Sequence, residues 1–257
     1  MTDAERLASS TNDPDLVWTG RQTNAWSDAF LGPPAKAIIN SPAGIAGVYE
    51  AQTAEFGASV INPVSANVVL VDDGAGTLSD GCEFPFANSA AIPGRIALID
   101  RGICTFTVKV KNAQLAGAVG VLIGNNVASG LPGMGGSDVT ITIPSLGITQ
   151  ALATSIKSNL PGTNATLGID PSGSLSGTND GCVRMFGPSP VQPGSSVAHF
   201  HSDAFPNLLM EPALNRSIFN KIDLTLPLFR DIDWRMTPED ILYRDSFDPS
   251  RCLAVQP

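Results

Sequence analysis

Residues Gly94–Asn126, GRIALIDRGICTFTVKVKNAQLAGAVGVLIGNN, decide the fold. Arg95–Asp100 is an apolar run closed by a charge and the turn Arg101-Gly102, the pattern of a buried strand. Val119–Gly124 is a second such run, closed by Asn125-Asn126. The segment between them has about the length a crossover helix needs. On a helical wheel Phe106, Val110, Ala113 and Gly117 share one face, while Lys109, Lys111, Asn112 and Gln114 point elsewhere. The β-branched Thr107, Val108 and Val110 are weak helix formers, so the amphipathic pattern carries the helix rather than propensity. Strand, helix and parallel strand follow, a unit whose crossover must be right-handed.

Outward from this unit, composition sets bounds. A chain of 257 residues holds one large domain or two modest ones. Charged residues make up only 15%, beside 25 Gly and 20 Pro, a balance that suits a β-rich, loop-rich extracellular protein. The net charge of −9 argues against nucleic acid and anionic membrane surfaces as partners. No run of about 18 apolar residues occurs, so no membrane span is expected. The opening MTDAERLASSTNDPD is polar throughout and does not read as a secretory leader, so a secreted origin implies a leader lost or trimmed.

Gly81-Cys82, then Gly94 through Phe106, Lys109, Asn112-Ala113, Ala116-Gly117-Ala118 and Gly120-Val121 together resemble the protease-associated (PA) domain, a small module of secreted and vacuolar peptidases and of sorting receptors. The resemblance implies an α/β (α+β) fold: a β-sheet or barrel-like module with a βαβ core and flanking helices, placed at residues 46–178. Four cysteines allow three pairings. Cys82 and Cys104 occupy positions where PA domains often carry a disulfide, which would stabilise by about 3 kcal/mol. Cys182 and Cys252 remain, and a bond between them would tie the tail back. Four buried thiols are the alternative. Disulfides would place the chain in an oxidising compartment, hence secreted or extracellular.

Within the module, Val60–Val64 and Ala66–Val71 read as strands, and Asp72-Asp73-Gly74 as turn chemistry. Gly130–Gly136 (GLPGMGG) is a Gly-rich loop without the Lys-Ser/Thr of a phosphate loop. Val139–Ile148 reads as a strand, Thr149 or Gln150 opens a helix through Lys157, and Ala165–Ile169 is the last strand. Before the module, residues 1–42 form a separate segment that starts with a helix capped by Thr2 and Glu5, followed by an extended Leu16–Gly20. After it, residues 181–236 hold a helix from Asp223 or Thr225 to about Ile232, and 237–257 form a polar tail. Residues 1–42 and 181–236 are expected to pack together, because Trp18, Trp26, Phe219, Phe229 and Trp234 need a dry environment.

The chain has two histidines, His199 and His201. Ser196-Val197-Ala198-His199-Phe200, followed by Asn207–Pro212, is similar to the end of the active site in leishmanolysin-like metzincins, and Leu16–Trp26 resembles a stretch of bacterial secreted metallopeptidases. That resemblance implies His199 as a third zinc ligand and Met210 as the methionine beneath the metal. No H-E-x-x-H occurs, so two ligands and the general base are absent: no catalytic residue is expected in this chain, and zinc belongs to a complete enzyme. His201 shares a face with His199 in an extended strand and reads as a solvated polar residue, with a back-up ligand as the minor role. No Gly-x-Ser-x-Gly elbow is present. Asp100 is expected to pair with Arg101 or Arg95, and Arg101-Gly102 is a candidate peptide contact. The reading is a non-catalytic PA region of a secreted zinc metallopeptidase, serving substrate access or protein interaction. Its partners would be a protein or peptide substrate and the rest of the peptidase domain. The alternative is a stand-alone PA protein that binds a peptide or carbohydrate.

Overall fold

A computed structural model describes residues 2–212 and 223–234. The chain folds into two compact units, Gly32–Leu175 and the combination of Met1–Leu31 with 176–257. Cys252, Phe219 and the 237–257 tail named above lie outside the described residues.

The first unit is built on strands β1 (Ala35–Ser41), β2 (Gly47–Glu50), β3 (Gln52–Thr53), β4 (Val64–Leu70), β5 (Ile96–Asp100), β6 (Gly120–Gly124), β7 (Ser145–Ile148) and β8 (Asn164–Ile169). They form one mixed sheet in the order β2-β1-β8-β4-β5-β6-β7-β3. The four central strands β4, β5, β6 and β7 are parallel, with Ile96 opposite Gly120 and Ile99 opposite Ile123. The α/β class expected from the sequence is therefore observed, and so is the strand–helix–parallel strand core.

Period-two alternation explains the layers. In β5, Ile96 and Leu98 face one apolar cluster with Leu122, Leu146, Leu152 and Ile156. Ala97 and Ile99 face a second with Val121, Ile123, Val110 and Ala113. Both faces are covered, so β5 and β6 read as unbroken apolar runs. Two helices supply the cover: α3 (Phe106–Leu115) over the second cluster and α4 (Gln150–Ser158) over the first. Each begins at a threonine cap, since Thr105 accepts from the Val108 N–H and Thr149 from the Leu152 N–H. A Cβ at Gly124 would lie 2.6 Å from that of Ala153, so a glycine there lets α4 approach β6 closely.

Several expectations change. Ala35–Ser41, left outside the module by the sequence reading, is an interior strand of this sheet, paired with both β2 and β8. Val60–Val64 does not form a strand of its own; one strand begins at Val64, after Pro63, which has no N–H to give a ladder. Of Val139–Ile148, only Ser145–Ile148 is strand. Side chains of α3 take the place of a ladder for the preceding residues: the Gln114 carbonyl accepts from the Thr142 and Ile143 N–H groups, and Lys111 donates to the Thr140 carbonyl.

The second unit holds α1 (Asp3–Ser10), α2 (Arg21–Phe30), the short pair β9 (Thr178–Asn179) and β10 (Cys182–Val183), and α5 (Thr225–Asp231). The capping box of Thr2 and Glu5 is present in full. Leu16–Gly20 contributes a single bridge, Val17 to Arg184. α2 starts at Gly20, which has no side chain with which to cap it. Asp231, at the end of α5, does so instead: its carboxylate accepts from the N–H groups of Gln22 and Thr23, the Thr23 hydroxyl and the Trp18 indole. A Cβ at Gly20 would fall 2.1 Å from that carboxylate, so the cap requires glycine there. Leu224 and Leu228 of the α5 region are buried. The rings are less dry than expected: Trp18, Trp26 and Phe229 are half-buried, and Trp234 stacks on Phe229 with centroids 5.5 Å apart yet stays 61% exposed. A stacked neighbour covers only one face of an indole.

Candidate functional site

The carboxyl ends of the parallel strands form a rim, the edge at which open α/β sheets present their loops. The loop after β5 runs Arg101-Gly102-Ile103-Cys104-Thr105 into α3. It is held at four points. The Arg101 N–H donates to the Gly124 carbonyl, and its Nη1 donates to Asn125 Oδ1 at 2.9 Å. The Cys104 N–H donates to the Gly102 carbonyl. A disulfide joins Cys104 to Cys82, with Cα atoms 5.8 Å apart. Asn125 is buried and held in turn, its N–H donating to the Ile148 carbonyl and its Nδ2 to Gly130.

Ile103 sits at the tip of this loop with φ +64°, 83% exposed. A β-branched residue in the left-handed region costs about 1–3 kcal/mol and persists only where its surroundings over-determine it. The bond to Gly102 and the disulfide do so here. A rigid, protruding apolar side chain beside a fixed guanidinium is suited to bind an extended peptide or a protein surface.

Asp100 does not pair with Arg101 or Arg95. Its carboxylate lies 2.5 Å from Lys157 Nζ at the end of α4 and accepts from the Ser79 hydroxyl. Arg101 points into the next loop, leaving α4 to supply the counter-charge. Lys109, set off the apolar face by helical periodicity, is nonetheless fully buried. Its ammonium donates to the Asp80 carbonyl and lies 3.4 Å from Cys82 Sγ. Burial pushes its pKa below the ordinary 10.5, against the pull of Asp80, Asp73, Asp100 and Glu83. Asn112, also off the apolar face of the wheel, donates to the carbonyls of Gly81 and Cys82. The loop that carries Cys82 covers this side of α3, and polar side chains satisfy its main chain there.

In the second unit His199 is half-buried, with Nδ1 3.0 Å from the Ser195 carbonyl. The Met210 carbonyl accepts from the N–H of Phe200, next to His199, and Met210 is half-buried. His201 is not a solvated residue. It is buried against Arg184, 3.2 Å from Nε2, with Asp13 and Asp203 carboxylates at 3.4 and 3.3 Å. Arg184 also pairs with both Asp13 and Asp203. Cys182 is half-buried and has no disulfide partner among the described residues. Among the described residues, the only group of three metal-ligating side chains is Asp73, Asp80 and Glu83, and His199 is not part of it.

Residues 64–156, from β4 into α4, match the family model of the PA domain. The chain carries a PA domain. Over 154 residues it is 29% identical to Vacuolar-sorting receptor 2 of Arabidopsis thaliana, covering 55% of this chain and 25% of the relative. Over 66 residues it is 54% identical to an aminopeptidase of Pseudomonas aeruginosa, covering 24% of this chain and 12% of that one. An aminopeptidase structure from Aneurinibacillus sp. strain AM-1 is similar with a TM-score of 0.42 and 23% identity, covering 65% of this chain and 44% of that one. The chain thus spans about a quarter or less of the length of these two curated relatives. The sheet around the PA match extends beyond it through β1, β2, β3 and β8. Among the described residues, no helix is long and apolar enough to cross a membrane.

Proposed function

We propose that this PA domain is the non-catalytic recognition module of a secreted zinc metallopeptidase, and that its rim loop Arg101–Cys104 engages protein or peptide substrates and governs their access. The observation that carries this reading is Ile103, exposed and locked in a strained conformation beside the anchored Arg101. Relatives named as peptidases on one side and as a sorting receptor on the other support binding of polypeptide as the common task. The Cys82–Cys104 disulfide supports an extracellular setting.

In this reading the second unit is the peptidase-side segment, with His199 as the third zinc ligand of a leishmanolysin-like site and Met210 beneath it. His199 has its Nδ1 held by Ser195, which leaves Nε2 for a metal. The described residues do not by themselves fit zinc, because no second or third ligand gathers at His199. No hydrolytic step is therefore derived from them.

The test is kinetic, on the full-length enzyme. Arg101→Ala and Ile103→Ser should raise KM for protein substrates and leave kcat on a short chromogenic peptide unchanged; equal effects on both substrates would reject the rim as a recognition site. His199→Ala should abolish activity, and retained activity rejects its role as ligand. The PA match alone favours a second reading, a stand-alone binder of a peptide or carbohydrate. In that case the same rim variants lose peptide binding in anisotropy measurements, and no proteolytic activity appears in the full-length protein.

A further inference from the structure

The loop that feeds Cys82 carries Asp72, Asp73, Asp80 and Glu83. Asp72 does turn work, its Oδ1 accepting from the Gly74 N–H. Asp73 is different: it points inward and is only 5% exposed. Its Oδ2 accepts from the Cys82 N–H, while its Oδ1 is buried with no hydrogen-bond partner. A buried carboxylate oxygen left unpaired is costly, and its presence needs an explanation. Asp80, 3% exposed, accepts from the same Cys82 N–H through Oδ1. Glu83 is exposed and leaves one side open to water. One carboxylate oxygen from each of Asp73, Asp80 and Glu83 lies within 4.8 Å of the other two.

The charge is incomplete without a further cation. Three carboxylates meet one buried ammonium, that of Lys109, which donates to the Asp80 carbonyl oxygen and contacts Cys82 Sγ. The residual charge of the group is that of two carboxylates, two of the three carboxylates being buried. A spacing of up to 4.8 Å is about twice a calcium–oxygen bond of roughly 2.4 Å. The ligands are all hard oxygens with an open side for water, a set that suits calcium and not zinc, which prefers nitrogen and sulfur.

We propose that Asp73, Asp80 and Glu83 form a calcium-class divalent cation site on the loop that carries Cys82, with Lys109 as its built-in counter-charge. The ion would take the bare Asp73 oxygen as a ligand and lock the 72–83 loop against the disulfide. This inference does not depend on what the rim binds, nor on the presence of a peptidase.

The full chain, stripped with a chelator and dialysed, is titrated with CaCl2 to about 10 mM, a range that covers extracellular calcium modules. Heat of binding and thermal midpoint are read together. Saturable one-site heat and a rising midpoint are expected, the folding equilibrium gaining about a hundredfold at a hundredfold excess over Kd. Asp73→Asn and the exposed, fold-neutral Glu83→Gln should each remove the saturable heat. Two results overturn the proposal. One is the absence of saturable heat and midpoint shift in the parent chain, which would mean that Lys109 alone balances the cluster. The other is an undiminished response in Glu83→Gln.

Discussion

Arg101 and Asn125 are joined across the rim of the sheet, the guanidinium Nη1 donating to Asn125 Oδ1 at 2.9 Å. The loops after two adjacent parallel strands thereby become one surface, because Asn125 also donates to the Gly130 carbonyl and is itself buried. Asn125→Ala should destabilise the chain by about 1–3 kcal/mol by leaving these groups unpaired. Urea denaturation measures it, and a loss below about 0.5 kcal/mol would show that water replaces the amide.

Ile103 supplies a prediction with opposite signs for stability and binding. Its φ of +64° is free for glycine and strained for isoleucine. Ile103→Gly should raise stability by about 1 kcal/mol while weakening peptide binding at the rim. Thermal denaturation and anisotropy on the same variant check both arms.

Lys109 should make stability depend on pH in the alkaline range. Burial lowers its pKa in the folded chain, so between that value and 10.5 the unfolded chain binds more protons than the folded one. Stability from this group therefore rises with pH through that window, since the cost of a buried charge fades as the ammonium loses its proton. In Lys109→Met the rise should vanish, which the difference in unfolding free energy between the two chains, followed up to pH 10.5, would reveal. A constant difference across that range would mean the ammonium is not strained by burial.

Asp231 should act at the acid end. Burial alone would push its pKa up, but hydrogen bonds from Thr23, Trp18 and Gln22 outweigh that and hold it below the ordinary 3.8. Its contribution is present above 3.8 and is lost as pH falls through its lowered folded value. Asp231→Ala should cost about 1–2 kcal/mol at neutral pH. The loss should appear first in the Trp18 fluorescence and should shrink in acid.

Local pattern made much of the fold legible. Apolar runs bounded by turns marked β5 and β6, amphipathic spacing marked α3, threonines marked the starts of α1 and α4, and the residues from Gly81 to Val121 carried the resemblance to the PA domain. These are signals that neighbouring residues carry by themselves, because caps and periodicity act within one or two turns. Contacts between distant residues were not written there. A wheel set Lys109 off the apolar face, yet the loop holding Cys82 closes over it. Asp231 caps a helix about two hundred residues earlier in the chain. Lys157 rather than a neighbouring arginine holds Asp100, and Ala35–Ser41 became an interior strand only by pairing with β8. In each case the deciding partner lies far along the chain, so only the folded chain brings it within hydrogen-bonding reach.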